Sequence, residues 1–412
     1  MIAYLKQFFA QVRRNIYTQL LNIAELFEDR MAALEGGVAA IATASGQAAQ
    51  LVAILALAHS GMNIIASYVA SIWSNDHKLK ILPPKNEYVI VIKTWNQFAV
   101  TLKNLGIEVR FVSTVDPTEY AAAIDENTRA IYIESIANPR FVFHSINDLA
   151  MVAHNAGIPL VVDNTLGMGG YIIRPIEHGA DIVVESATKW ICGHGVALGG
   201  VVVDSGNFNW RHSGKFPALT TARYGRAAFV DVFGRKAFSA KIREDVVQIQ
   251  HDFGTTIGLF SAILMLQGLE TLSLRADRHC MNAHALAKWL EREEKVSWVS
   301  YLGLETHESH ALASAYLKRG LYGGVLTFAI KGGSAAADKV LHSLRLASHL
   351  ANLGDTRTLV IRPVRTTQGR TLNDSHNDSA TIDAMIRVSV GIEAIDDIIT
   401  DFRNALDSID VE

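Results

Sequence analysis

Ile158-Pro-Leu-Val-Val-Asp163-Asn164 and, a short connection later, Asp181-Ile-Val-Val-Glu-Ser-Ala-Thr-Lys189-Trp-Ile-Cys-Gly-His-Gly195 read as two buried strands, each ending in a reactive group. The first apolar run closes on an acid. The second closes on hydroxyls, a lysine and a glycine-rich turn. A lysine at such a turn has a desolvated amine, and desolvation lowers its pKa and frees the nucleophile. Asp163 is open to a plainer role as a cap or turn residue, and its place after Leu-Val-Val favours a functional carboxylate. Lys189 and Asp163 together are a stronger signal than either alone.

Around this pair the chain alternates between apolar strand patterns and helical spacing. Strands are expected at Val38 to Thr43, Asn63 to Ala66, Glu108 to Ser113, Ala130 to Glu134, Leu160 to Val162, Ile182 to Val184 and Gly200 to Val203. Helices are expected at Glu25 to Leu34, Thr118 to Ile124 and Ile146 to Ala156, the first burying Leu26, Phe27, Arg30 and Leu34. Near-continuous Val/Ile runs separated by helices indicate a mostly parallel sheet covered on both faces. Ligands bind such sheets beyond the carboxyl ends of the strands. Asn138, Asp163 and Ser186 to Lys189 all fall there. A strand, the turn Ser45-Gly46-Gln47 and a helix N-terminus add a candidate anion site, because unpaired amides point outward at such a terminus. From about Phe253 the texture changes. One long helix is expected over Thr256 to Arg275, burying Leu259, Ile263, Leu266 and Leu269. The strands Gly324 to Ile330 and Met385 to Val390 follow, with a helix near Ala335 to Leu346 between them.

Composition narrows the function. The 412 residues carry a net charge of -3 with no basic stripe, which argues against a nucleic-acid partner. Cys192 and Cys280 alone form no disulfide framework, so a reducing, cytoplasmic setting is the simple reading. Lys6, Arg13 and Arg14 without an acid in the first twenty residues fit an N-terminal amphipathic helix better than an organellar presequence. The longest apolar stretch, Leu51 to Ala66, is short for a membrane span. No Cys or His spacing suits a metal. Arg387, between apolar neighbours on a strand, needs a partner; a substrate carboxylate is a natural one, and a structural ion pair is the alternative.

The segments Ala32-Ala-Leu-Glu-Gly-Gly-Val38, Ser45-Gly-Gln-Ala-Ala49, Glu134-Ser-Ile-Ala-Asn-Pro139, Val162-Asp-Asn-Thr165, Ser186-Ala-Thr-Lys-Trp190, Gly193-His-Gly195, Leu266-Gln-Gly-Leu-Glu-Thr271 and Arg387-Val-Ser-Val-Gly-Ile-Glu393 go further. Through them the chain resembles the Cys/Met-metabolism family of pyridoxal-phosphate enzymes, and within it the sulfhydrylase branch that replaces the acetate of O-acetylhomoserine with sulfide. The resemblance implies an α/β fold of the type I aminotransferase-like class, with a mostly parallel seven-stranded sheet and a smaller C-terminal α/β domain. It implies an N-terminal segment over 1–25, shortened relative to the family, a cofactor-binding domain over 26–255 and a small domain over 256–412.

The resemblance also implies roles. Lys189 bonds the aldehyde of pyridoxal 5'-phosphate, and Asp163 holds its ring nitrogen protonated so that the ring can absorb a carbanion's electron pair. Ser186, Thr188, Gly46 and Gln47 hold the phosphate, and Tyr17 reaches it from a neighbouring subunit. Asn138 meets the ring oxygen. Arg387 and Asn352 bind the substrate carboxylate. The partners implied are an amino-acid substrate, sulfide and further copies of the chain, as a homodimer or homotetramer with shared sites; neither nucleic acid nor membrane is among them. Three departures accompany the likeness. Gln19 stands where the family has a phosphate-binding arginine. An atypical insert over about 69–93 replaces a tyrosine-bearing loop, and neither Tyr68 nor Tyr88 is assigned its work. Arg362-Pro-Val-Arg-Thr-Thr-Gln368 also differs and is expected to alter the substrate entrance. A weakly active or non-catalytic cofactor binder, or a relative using another nucleophile, is therefore the competing reading.

Overall fold

The computed structural model describes residues 23–67, 71–73, 79–81, 92–222, 225–244, 253–363 and 384–409. Tyr17, Gln19, Tyr68, Tyr88, most of the 69–93 insert and residues 364–368 lie outside them.

Nine strands precede residue 205: β1 (Ala39–Thr43), β2 (Asn63–Ser67), β3 (Ser71–Trp73), β4 (Leu79–Ile81), β5 (Glu108–Val112), β6 (Thr128–Glu134), β7 (Leu160–Asp163), β8 (Ile182–Glu185) and β9 (Gly200–Asp204). Seven form one sheet in the order β1-β9-β8-β7-β6-β2-β5, and β3 pairs with β4 apart from it. The pairings β8-β7, β7-β6, β6-β2 and β2-β5 are parallel, while β9 runs antiparallel to both β1 and β8. This is the mostly parallel sheet expected from the Val/Ile runs, with the seven strands that the resemblance implies.

Period two divides each run between two cores. Ile131, Ile133, Leu160, Val162, Val183, Val201 and Val203 face one, and Ala130, Tyr132, Val161, Ile182, Val184 and Val202 face the other. A strand buried on both faces has no need of polar alternation, which is why these segments read as unbroken hydrophobic stretches. The first core is covered by the helix over 23–35, and the second by helix Gly46–Leu57.

A second sheet follows in the order β10-β11-β14-β13-β12, built from β10 (Val296–Ser300), β11 (Val325–Ile330), β12 (Ser348–His349), β13 (Leu359–Ile361) and β14 (Met385–Ser389). Helices Leu272–Leu290, Gly333–Ser343 and Ile395–Asp407 contribute to its own apolar core.

Two expectations about helices need correction. The helix over 23–35 buries Phe27 and Met31, whereas Leu26 and Arg30 are exposed; Arg30 pairs instead with Glu270. The long helix is two, Leu259–Glu270 and Leu272–Leu290, broken at Thr271. The first buries Ala262, Met265 and Gly268, leaving Ile263 exposed and Leu266 and Leu269 only partly covered. Packing explains the choice. A Cβ on Gly268 would stand 2.2 Å from the carbonyl oxygen of Ile191, so the helix turns its small residues to the backbone that follows Lys189. Arg275 fastens the same place, donating to the carbonyl oxygens of Trp190 (2.8 Å) and Gly268 (2.7 Å).

Candidate active site

Strand ends and one helix start converge on a cavity of about 310 Å³. Its lining includes Gly46, Gln47, Asn138, Asp163, Ser186, Thr188, Lys189, Asn352 and Arg387, so every candidate residue among those described opens on one space. Tyr17 lies outside the described residues.

Asp163 is the last residue of β7 and stands in register with Glu134 on β6, so the two carboxyls point to the same face. Asp163 Oδ1 accepts from the Thr165 amide (2.9 Å), and Oδ2 accepts from Gln50 Nε2 (3.1 Å) and the Tyr132 hydroxyl (3.2 Å). Burial raises both carboxyls, Glu134 to about 8 with the Asp163 charge as the second cause. Among the described residues Glu134 has only the Asn138 amide as a donor, at 3.3 Å. Donors stabilise the charged form, so Asp163 is the member of the pair that ionises first and Glu134 the one that keeps its proton. Part of the plainer reading of Asp163 also holds, since its bond to Thr165 closes a local turn.

The anion site is built from close approach. Ser45 caps helix Gly46–Leu57, its hydroxyl accepting from the Ala48 amide. A Cβ on Gly46 would lie 2.6 Å from Ser186 Cβ, so glycine is what lets the helix start meet the turn after β8. The Thr188 hydroxyl is engaged with Gly199, donating to its carbonyl (3.1 Å) and accepting from its amide (3.0 Å); this is the ordinary turn bonding weighed against a ligand role. The Ser186 hydroxyl donates to no protein group among the described residues, while the Ser186 amide donates to Thr165 Oγ1 at 2.9 Å. Thr165 therefore ties the Asp163 turn to the lysine turn.

Lys189 Nζ donates to Asn352 Oδ1, and Arg387 donates to the Asn352 carbonyl oxygen at 3.2 Å. One asparagine thus joins the amine to the guanidinium. Arg387 forms no ion pair among the described residues, and burial lowers it to about 10. Arg362 is buried against Ser334 and Asp338, while the rest of its motif from residue 364 lies outside the described residues.

Sequence reasoning passed over Gln50, Thr94, Tyr132, Glu134 and Thr165. Tyr132 and Glu134 share a strand face with each other, and Gln50 lies one helical turn beyond Gly46, so spacing carried a weak signal. The long-range bonds that bring Gln50 and Tyr132 to Asp163, and Thr94 to Gln50, exist only in the folded chain.

The arrangement suits pyridoxal phosphate. A lysine amine, a multiply held aspartate, a glycine-walled helix start beside a serine hydroxyl and the Asn138 side chain, whose buried Oδ1 has no partner among the described residues, surround one cavity. The family model described as Cys/Met metabolism PLP-dependent enzyme matches residues 3–79 and 85–407. The chain belongs to this family. It is 48% identical to homocysteine synthase of Schizosaccharomyces pombe over 397 residues, covering 95% of this chain and 87% of that one. It is 44% identical to O-acetyl-L-homoserine sulfhydrylase 1 of Thermus thermophilus, covering 95% and 88%. A solved structure of a putative O-acetylhomoserine (thiol)-lyase from Campylobacter jejuni, carrying a pyridoxyl-lysine monophosphate, superposes with a TM-score of 0.82 at 29% identity, over 93% of this chain and 86% of that one. The type I fold and dependence on pyridoxal phosphate follow from this membership.

Proposed function

We propose that this enzyme replaces the acetate of O-acetyl-L-homoserine with sulfide, giving L-homocysteine and acetate. The observation that carries the reading is the meeting of Lys189, Asp163 and Arg387 in one cavity. The cofactor supplies an electron-withdrawing ring conjugated to the substrate nitrogen. Asp163, held by three donors, keeps a positive charge on the ring nitrogen. Gly46, Gln47, Ser186 and Thr188 hold the phosphate, and Asn138 the ring oxygen. Arg387 receives the substrate carboxylate in its planar fork, with Asn352 beside it. Lys189 Nζ takes the proton from the substrate α carbon; loss of a β proton then lets acetate leave the γ carbon, and both positions regain protons once sulfide has added there. Asn352 Oδ1 orients that amine. In this reading the cofactor domain spans 26–255 and the small domain 256–412.

Purified protein supplied with cofactor should be yellow and should release acetate and homocysteine together when given O-acetylhomoserine and sulfide. Cofactor binding without acetate release would favour the non-catalytic reading. Arg387→Ala is expected to raise KM for the amino acid about 10- to 100-fold with a smaller change in kcat, since one charge-assisted contact contributes about 1.5–3 kcal/mol. Initial rates against substrate concentration check it, and an unchanged KM rejects the assignment.

A homo-oligomer with shared sites is part of the same proposal. Phe260, Leu274 and Met281 are exposed on neighbouring helices, more apolar surface than a helix face in water ordinarily shows. Light scattering should read a mass above that of one chain, and a monomer would remove this part. Among the described residues no helix is long and apolar enough to cross a membrane. A cytoplasmic setting fits the two buried free cysteines.

A further inference from the structure

The carboxyl ends of β7 and β8 are gripped from both faces of the sheet. Asp163 shares the cavity-side face with Tyr132 and Glu134. Their neighbours Asn164 and Glu185 turn to the opposite side, against the end of the helix over 23–35. Glu35, the last residue of that helix, and Glu185, the last of β8, are 0% and 1% exposed. Their carboxyls lie close enough that each acts on the other's titration. Asn164 Nδ2 donates to Glu35 Oε1 (2.7 Å) and to the Ile173 carbonyl (3.0 Å), while the Gly169 amide donates to Glu185 Oε2 (3.2 Å). The remaining oxygens, Glu35 Oε2 and Glu185 Oε1, have no donor among the described residues. Two buried carboxylates in contact without a bonded cation cost several kcal/mol. A single proton between them removes that cost and supplies the donor both oxygens lack.

We propose that Glu35 and Glu185 share one proton and act as a positioning pair, fastening the helix over 23–35 to the two turns that carry Asp163 and Lys189. This deepens the reading of the cavity as a cofactor site. Gly170 shows how tightly the segment after β7 lies on the helix end, since a Cβ there would come within 2.6 Å of the Leu34 carbonyl oxygen. The charged groups facing the pair are few. Arg174 and Lys318 attract Glu35 through space, each also bonded to Glu177, and Asp163 repels a charge on Glu185.

Burial raises both carboxyls above the usual range; at Glu185 the Glu35 charge adds to it, whereas at Glu35 the contact with Glu185 and the Asn164 amide oppose it. The sign follows. A carboxyl whose pKa is raised by folding stabilises the fold while protonated, and that contribution is lost as pH climbs from about 4.5 through the folded value. The melting temperature of the full-length protein should therefore fall more steeply from about pH 6 to about pH 9 than that of Glu185→Gln, whose amide donates at every pH. The wild type should show the infrared stretch of a protonated carboxyl that Glu185→Gln removes. Glu185→Ala should weaken pyridoxal phosphate binding about 5- to 100-fold, the span expected when a buried polar group loses its partner, and Glu185→Gln should restore most of that loss. Parallel melting curves with an unchanged infrared spectrum would overturn the shared proton. Unaltered cofactor affinity in Glu185→Ala would overturn the positioning role. Should Glu185→Ala fail to fold, Glu185→Gln still decides the first point, and its cofactor affinity, measured across the same pH range, decides the second: it should decline less with pH than the wild type's. None of these readouts involves sulfide, so they stand or fall apart from the choice of nucleophile.

Discussion

Lys189→Ala is expected to slow homocysteine formation by about 10³- to 10⁴-fold and to abolish the yellow colour of the purified protein. Two functions are lost with one amine: the covalent hold on the cofactor aldehyde, and the base that moves the α proton. Folding should survive, because the side chain opens on the cavity and its bond to Asn352 is one a water molecule can replace. Lys189→Arg sharpens the test. It keeps the positive charge, yet guanidinium stays protonated at neutral pH and cannot serve as the base. It should be as inactive as the alanine variant. Turnover within tenfold of wild type in either variant would remove Lys189 from the chemistry.

Asp163→Asn should lower turnover by about 10²- to 10³-fold, the range seen when one preorganised electrostatic group is removed. The amide keeps the shape of the carboxylate but not its charge, so it cannot keep a proton on a ring nitrogen. Stability should change little, since an amide oxygen still accepts from Thr165. Asp163→Ala is harsher. It strands the Gln50 amide, the Tyr132 hydroxyl and the Thr165 amide, which have converged on this carboxylate, and should cost a further 1–3 kcal/mol or so of folding free energy. There is a second consequence. The Asp163 charge helps hold Glu134 at about 8, so Glu134 should ionise at lower pH in Asp163→Asn. A pH-rate profile and a melting curve on the same preparations separate the two effects. Near wild-type turnover in Asp163→Asn would reject the assigned role.

Much of the site was legible because its chemistry ends the strands. An acid closing Leu-Val-Val and a lysine following Ser-Ala-Thr stand out against apolar runs, and a parallel sheet delivers all such ends to one edge. Gly46 was legible as a turn residue, but its reason was not: the 2.6 Å approach to Ser186 joins residues 140 positions apart. The same holds for Gln50 and Tyr132. Each looks like an ordinary helix or strand residue until Asp163 is brought beside it.

The helix over 259–270 shows the limit of hydrophobic spacing. Leu259, Ile263, Leu266 and Leu269 form a regular apolar stripe, which in isolation marks the buried face. The fold instead packed Ala262, Met265 and Gly268 inward, with the backbone after Lys189 passing too close at Gly268 to admit a side chain there.

Residue pattern alone marked which strands are covered on both faces and where their reactive ends fall, because side-chain polarity at period two and the residue at which each run stops are local properties; the cofactor came from the motifs' resemblance to a known family. Only the tertiary structure decided how Asp163 is held, that Asn352 links Lys189 to Arg387, and that Glu35 meets Glu185 behind the site. These depend on contacts between distant segments, whose geometry is set by how the layers pack and is written in no single stretch of chain.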